Sequence, residues 1–173
     1  MTLNKITPNL WFDGNAKEAV DFYVSVFPAS KVVATSYYPE EGLLDFQQEL
    51  AGKELTIEYE LSGNRFTAIN AGPEFKFNES VSFSIVCEDQ AEIDYFWEKL
   101  SKVTEAEQCG WREDQYGLSW QVVPNNMDEL MKSLNAFANM MQMKNIVIED
   151  FWPSIHHNGV RDYCIHHSHH PNL

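Results

Sequence analysis

Residues 54–61 alternate strictly, with Leu55, Ile57, Tyr59 and Leu61 on one side and Thr56, Glu58 and Glu60 on the other. A period of two predicts a strand with one buried and one wet face. Apolar and β-branched runs predict further strands over 5–12, 31–38, 43–50, 65–71, 80–87, 107–112 and 118–123. Helical spacing appears where the period changes. Ala19, Val20, Phe22, Tyr23, Val26 and Phe27 share a face after Asn15, with Glu18 at capping-box distance and Pro28 as a stop. Ile93, Tyr95, Phe96 and Leu100 predict a second helix over 92–102. Leu130, Met131, Leu134, Phe137, Ala138 and Met141 predict a third over 127–143, with a short strand over 146–148 beyond it.

These elements repeat. Ala19-Val20-Asp21-Phe22-Tyr23 returns 73 residues later as Glu92-Ile93-Asp94-Tyr95-Phe96, each behind a short apolar run and ahead of strand-like segments. The chain thus predicts two similar β-α-β modules, 5–72 and 79–124, a helix over 126–143, and one domain spanning 1–155. From His156 the apolar period ends. The six histidines of the chain pair as His156-His157, His166-His167 and His169-His170, and this composition predicts a poorly ordered tail over 156–173. Such a run binds divalent metal adventitiously. Ser168 has neither a partner Asp nor a nucleophile elbow, which excludes a catalytic triad there.

Composition narrows the partners. The 173 residues are 44% hydrophobic and 13% aromatic, enough for a solid core, and carry a net charge of -14. That charge repels phosphate backbones and anionic membranes, so neither nucleic acid nor a membrane is expected as partner. Cys87, Cys109 and Cys164 are scattered and odd in number, and no basic-then-apolar leader begins the chain. Free thiols and a cytoplasmic location are the expectation.

Four segments carry a family resemblance: Leu10-Trp11-Phe12-Asp13-Gly14-Asn15-Ala16, Phe75-Lys76-Phe77-Asn78-Glu79, Gln108-Cys109-Gly110-Trp111 and Gly117-Leu118-Ser119-Trp120-Gln121-Val122. Together they resemble the PhnB-like branch of the vicinal-oxygen-chelate superfamily of glyoxalase I, bleomycin-resistance proteins and extradiol dioxygenases. That branch often carries the label 3-demethylubiquinone-9 3-methyltransferase. The resemblance runs from about residue 5 to about 150. It implies an α+β fold in which two βαβββ modules form a curled, incomplete β-barrel, followed by a C-terminal helix. It also implies a cup-shaped pocket and a homodimer. The superfamily's four metal-holding places fall on Thr7, Asn70, Ser82 and Gln121. None is His, Asp or Glu, so no metal and no cofactor are expected.

The remaining chemistry is sparse. Glu58 and Glu60 face the cup if Ile57 and Tyr59 pack on a helix; a general base, an off-pattern metal ligand or a solvated sheet face all satisfy the pattern. Cys109 has Arg112 as its only close cation, which points to a small structural residue rather than a nucleophile. Trp11, Trp97, Trp111 and Trp120 are candidates for stacking a ligand or for the core, and Tyr116 for a lid. No glycine pair falls two apart, so neither a GxG turn nor a P-loop exists. The reading is a metal-free small-molecule-binding protein, its pocket drawn from Thr7, Trp11, Glu58, Asn70, Ser82, Trp120 and Gln121. The alternative is an enzyme of the same superfamily acting on a small organic substrate, of lyase or isomerase type, or the methyltransferase of the family label.

Overall fold

The computed structural model describes residues 5–152. The His-rich segment, with its expected disorder, Cys164 and Ser168, lies outside the described residues. Seven strands form two sheets. The first holds β1 (Asn9–Phe12), β2 (Lys31–Tyr37), β3 (Glu54–Leu61) and β4 (Asn64–Asn70), in the order β1-β4-β3-β2. The second holds β5 (Ser82–Cys87), β6 (Trp111–Glu113) and β7 (Ser119–Pro124), in the order β5-β7-β6. In each sheet the first strand pairs parallel with the last, and the last pairs antiparallel with the one before it. The two sheets therefore repeat one topology and close no barrel, which is the duplicated α+β arrangement that the periodicity predicts.

Each module has one helix, α1 (Ala16–Val26) or α2 (Gln90–Leu100). The α1 face of Ala16, Ala19, Val20 and Tyr23 is buried, and the helix lies against β3 and β4. On β3, Ile57, Tyr59 and Leu61 are buried while Glu58 stays exposed, as alternation requires. Asp89 caps α2, its Oδ1 accepting from the Glu92 amide at 2.9 Å, so that helix starts before the expected Glu92. The capping box expected at Asn15 does not form; Glu18 instead accepts from the Tyr116 hydroxyl at 3.0 Å.

Five expected elements differ. Residues 43–50 form a 3₁₀ turn, Asp45–Leu50, not a strand. The stretch, Leu-Leu-Asp-Phe-Gln-Gln-Glu-Leu, has no β-branched residue, which suits helical turns. The second module lacks a counterpart of β2. Its polar equivalent carries only a short turn, Thr104–Ala106, where β2 has Val32, Val33 and Thr35. The strand expected over 107–112 is cut by Cys109 and Gly110, both at positive φ (52° and 80°). Gln108 and Trp111 exchange backbone hydrogen bonds across them, which makes a two-residue hairpin with left-handed tip residues. Gly110 is required there, because a Cβ would stand 2.6 Å from the Val122 carbonyl oxygen.

The expected C-terminal helix is split into α3 (Met127–Leu130) and α4 (Ala136–Met140). Asn135 adopts φ 66°, a conformation that Asn tolerates and an α-helix does not. The break turns Leu134 (76% exposed) and Phe137 (62%) outward. The strand expected over 146–148 is replaced by a turn, Ile148–Phe151, that buries Phe151, with Ile146 buried just before it. No helix among the described residues is long and apolar enough to cross a membrane.

The two modules are joined through their helix-side cores. Tyr23 on α1 donates its hydroxyl to Asp114 Oδ2 at 2.7 Å, and Trp120 Nε1 donates to the same oxygen at 2.8 Å. Asp114 Oδ1 accepts from the amides of Tyr116 (2.8 Å) and Leu118 (3.1 Å). Burial pushes this carboxyl above its ordinary range, and the four donors pull it part of the way back. Removing the phenol oxygen with Tyr23→Phe leaves the buried carboxylate one donor short. The expected loss is about 1.5–3 kcal/mol, read as a lower urea midpoint with unchanged slope; an unaltered midpoint would show that the link carries no stability.

Candidate functional site

A cavity of about 610 Å³ opens along the seam between the two sheets. Five aromatic side chains help to line it: Phe27 from the end of α1, Phe66 from β4, Phe83 from β5, Phe96 from α2 and Trp120 from β7. The rings touch across the modules. Phe66 meets Phe83 edge-on at 5.2 Å, Phe83 meets Trp120 at 5.8 Å, and Phe27 lies 5.2 Å from Trp120 and 5.1 Å from Phe96. Each ring stands at an inward position of its own element, so the hollow forms where two cores meet incompletely.

Polar groups share the wall, among them Ser62, Asn64 and Ser84. Arg65 lines the cavity, but its guanidinium is shared by two carboxylates, Nη1 to Glu58 Oε2 and Nε to Glu60 Oε1, both at 3.3 Å. Lys31 Nζ stands 3.6 Å from the other oxygen of Glu60. This network covers the outer face of the first sheet and leaves little net positive charge for an anionic ligand. Glu92 also lines the cavity, its Oε2 accepting from the Glu88 amide at 2.6 Å.

Of the seven residues singled out from sequence, Trp120 alone lines this cavity. Its indole nitrogen is already used by Asp114 and the side chain is buried among Tyr23, Phe27 and Phe83, so it backs the cavity. Ser82 and Gln121 are brought together, Gln121 Nε2 donating to Ser82 Oγ at 2.8 Å. Trp11 donates to the Gly72 carbonyl at 2.8 Å and packs edge-on against Phe75. Glu58 is exposed and paired with Arg65. Asn70 is buried on the same side of β4 as Phe66 and Ala68, with its amide donating to the Glu54 carbonyl at 3.1 Å. Thr7 precedes β1, and its carbonyl accepts from the Asn9 side chain. Thr7, Asn70, Ser82 and Gln121 are all neutral, a donor set poorly suited to a transition metal; Ser82 and Gln121 bond each other, and Asn70 Oδ1 is buried without a partner. Among the described residues no group of three or more His, Cys, Asp or Glu could hold an ion.

Neither thiol among the described residues, Cys87 or Cys109, is activated. Arg112 points into the core, stacks on Trp97 at 3.7 Å and donates to the carbonyls of Phe96 (3.2 Å) and Trp97 (2.6 Å). Burial lowers its guanidinium to about 10. It is thus committed to the end of α2, away from service to Cys109. Burial pushes the Cys109 thiol up and pushes Cys87 up to about 12, where Glu92 and Asp89 add to the effect. Sequence reasoning saw Phe27 and Phe96 only as helix faces and left Phe66 and Phe83 unassigned. Period alone cannot separate a ring in a packed core from one beside a void.

A family model described as 3-demethylubiquinone-9 3-methyltransferase matches residues 4–123. The chain belongs to that family, in its PhnB-like branch. A PhnB protein from Bacillus cereus is 31% identical over 70% of this chain and 99% of its own, with a TM-score of 0.59. Protein PA1353 from Pseudomonas aeruginosa shares the fold at 18% identity, over 70% of this chain and 98% of its own, with a TM-score of 0.53. No curated protein matches the chain. The PhnB-like, glyoxalase-like assignment agrees with the duplicated topology.

The thiol environments give a direct prediction. At pH 8 iodoacetamide should label Cys109 slowly and leave Cys87 untouched until the protein is denatured, because Cys87 stays protonated and buried. Peptide mass spectrometry reads both sites, and equal labelling rates would contradict the assignment.

Proposed function

We propose that this PhnB-like protein binds a small organic molecule in the seam cavity, without metal. The carrying observation is the cavity itself, about 610 Å³ with five aromatic rings in its wall. Its size lies in the range of roughly 300–1,000 Å³ that holds compact organic ligands. The ligand is a compact organic molecule with both apolar and polar groups, because Leu61, Phe83, Ile85 and Val86 line the hollow together with Ser62, Asn64 and Ser84. It is neutral or cationic, because Arg65 is already neutralised and the chain carries a charge of -14. The same charge disfavours nucleic acid and anionic membranes as partners. A second copy of the chain remains the proposed macromolecular partner, supported by the outward Leu134 and Phe137. Sedimentation equilibrium at tens of micromolar reads it, and a monomer throughout would remove it.

The second reading is an enzyme of the same superfamily, and the family description supports its methyl-transfer form. The β1–α1 turn, Asp13-Gly14-Asn15, has a single glycine, and no step is assigned to it.

The test is a titration of the full chain with planar aromatics, a quinone and S-adenosylmethionine, read by tryptophan fluorescence and thermal shift. A ligand at 100 times its Kd should add about 2.7 kcal/mol of stability. Ser84→Trp, an exposed position on the cavity wall, should weaken binding tenfold or more while the fold persists. No ligand in the panel, or binding indifferent to Ser84→Trp, would overturn the reading. Binding of S-adenosylmethionine with turnover would favour the enzyme.

A further inference from the structure

The backbone of β5 brings to the cavity hydrogen-bonding groups that no side chain reveals. β5 ends its sheet, with β7 on one side and no strand on the other. One bond fixes which way its backbone points: the Asn125 amide donates to the Cys87 carbonyl at 2.8 Å, so Cys87 faces β7. Backbone groups of successive strand residues point to opposite sides, so Ile85 and Phe83 also face β7, while Ser84 and Val86 face the open side. The next residue in that phase agrees. The Glu88 amide finds its partner outside the sheet, in the Glu92 carboxylate at 2.6 Å, and Glu92 lines the cavity. Ser84 and Val86 line the cavity too, and both are exposed. Among the described residues, their backbone N–H and C=O groups have no partner on that side.

The cavity lies along this edge. Four successive residues of β5, Phe83, Ser84, Ile85 and Val86, stand in its wall. Side chains alternate between the two faces of a strand, so four in a row meet one hollow only where that hollow follows the edge. An open edge presents a donor and an acceptor together, and an extended amide answers both, as strand addition does. An ester or a ketone answers the donor alone. The volume of about 610 Å³ suits a compact molecule. We infer that the molecule held in this cavity carries a secondary amide in extended form, which stands beside β5 in place of a further strand. Its N–H donates to a carbonyl of the Ser84–Val86 edge, its C=O accepts from an amide of the same edge, and its apolar substituent lies against Phe66 and Phe83. The inference rests on the small-molecule reading of the cavity and adds the ligand's chemical class to it.

The experiment titrates the full chain with N-acetyl-phenylalanine methylamide, and with the same compound methylated on the phenylalanine nitrogen, by calorimetry. The parent compound should bind. Methylation removes the donor and keeps the ring, and should weaken binding about tenfold. In amide hydrogen exchange, Ser84 and Val86 should exchange fast in the free protein and slow down on binding. Val86→Pro removes an outward N–H and spares the bonds to β7, a place where an edge strand accepts proline. It should weaken the parent compound about tenfold as well. Equal binding of the two compounds, or unchanged exchange at Ser84 and Val86, overturns the proposal. If planar aromatics or a quinone bind and the parent amide does not, the cavity reading stands and the amide class is wrong; if nothing binds, both fall. Protection of the edge that grows with protein concentration alone would assign it to a second copy, which also overturns the proposal. Circular dichroism checks the fold of Val86→Pro; if that variant fails to fold, the methylated compound and the exchange rates decide.

Discussion

Asp114 accepts four hydrogen bonds in a site with almost no solvent, from Tyr23, Trp120 and the amides of Tyr116 and Leu118. A buried carboxylate costs several kcal/mol unless its lone pairs are met. Only one arrangement meets them: α1 of the first module must bring Tyr23 to the hairpin of the second, while Trp120 must turn inward on β7. The carboxylate thereby sets the distance between the two halves. The aromatic wall follows from that distance. Phe27 lies one turn along from Tyr23 and meets Trp120, and Phe66 meets Phe83 where the two sheets come together. The cavity is what remains when two repeats are held by a polar pin at one end and by ring contacts at the other.

Where one physical rule governs a segment, the chain declares its structure. β3 is legible because its alternation places Ile57, Tyr59 and Leu61 inside and Glu58 outside. Both helices are legible from their apolar faces, and the repeat of topology from the repeat of pattern. The misses come from segments where rules compete. The apolar spacing over 127–143 is real, but Asn135 prefers a left-handed turn, and the break sends Leu134 outward. Cys109-Gly110 interrupts a segment that otherwise reads as a strand. Asp114 gave no signal, because a lone Asp in a polar hairpin reads as solvent-facing. Its role rests on a residue 91 positions away.

The site is less legible than the fold for a related reason. Of the polar residues placed by analogy with the superfamily, Ser82 and Gln121 bond each other and the Asn70 side-chain nitrogen bonds the Glu54 carbonyl, while Asn70 Oδ1 is buried without a partner. The residues that make the hollow are phenylalanines whose pattern is that of any core. This PhnB-like chain keeps the architecture of its family. A pocket with rings in its wall discriminates apolar substituents by shape and by ring contact. Such discrimination is shallow: one methylene in an apolar pocket is worth about 1–3 kcal/mol.

The pairing of Tyr23 with Asp114 also has a consequence for biosynthesis. The phenol emerges from the ribosome 91 residues ahead of its acceptor. At roughly 5–20 residues per second, the Tyr23 hydroxyl waits on the order of 5–20 s for that acceptor, although β3 and β4, against which α1 packs, are complete by Asn70. The nascent first half thus holds an unmet buried hydroxyl until the hairpin of the second half arrives.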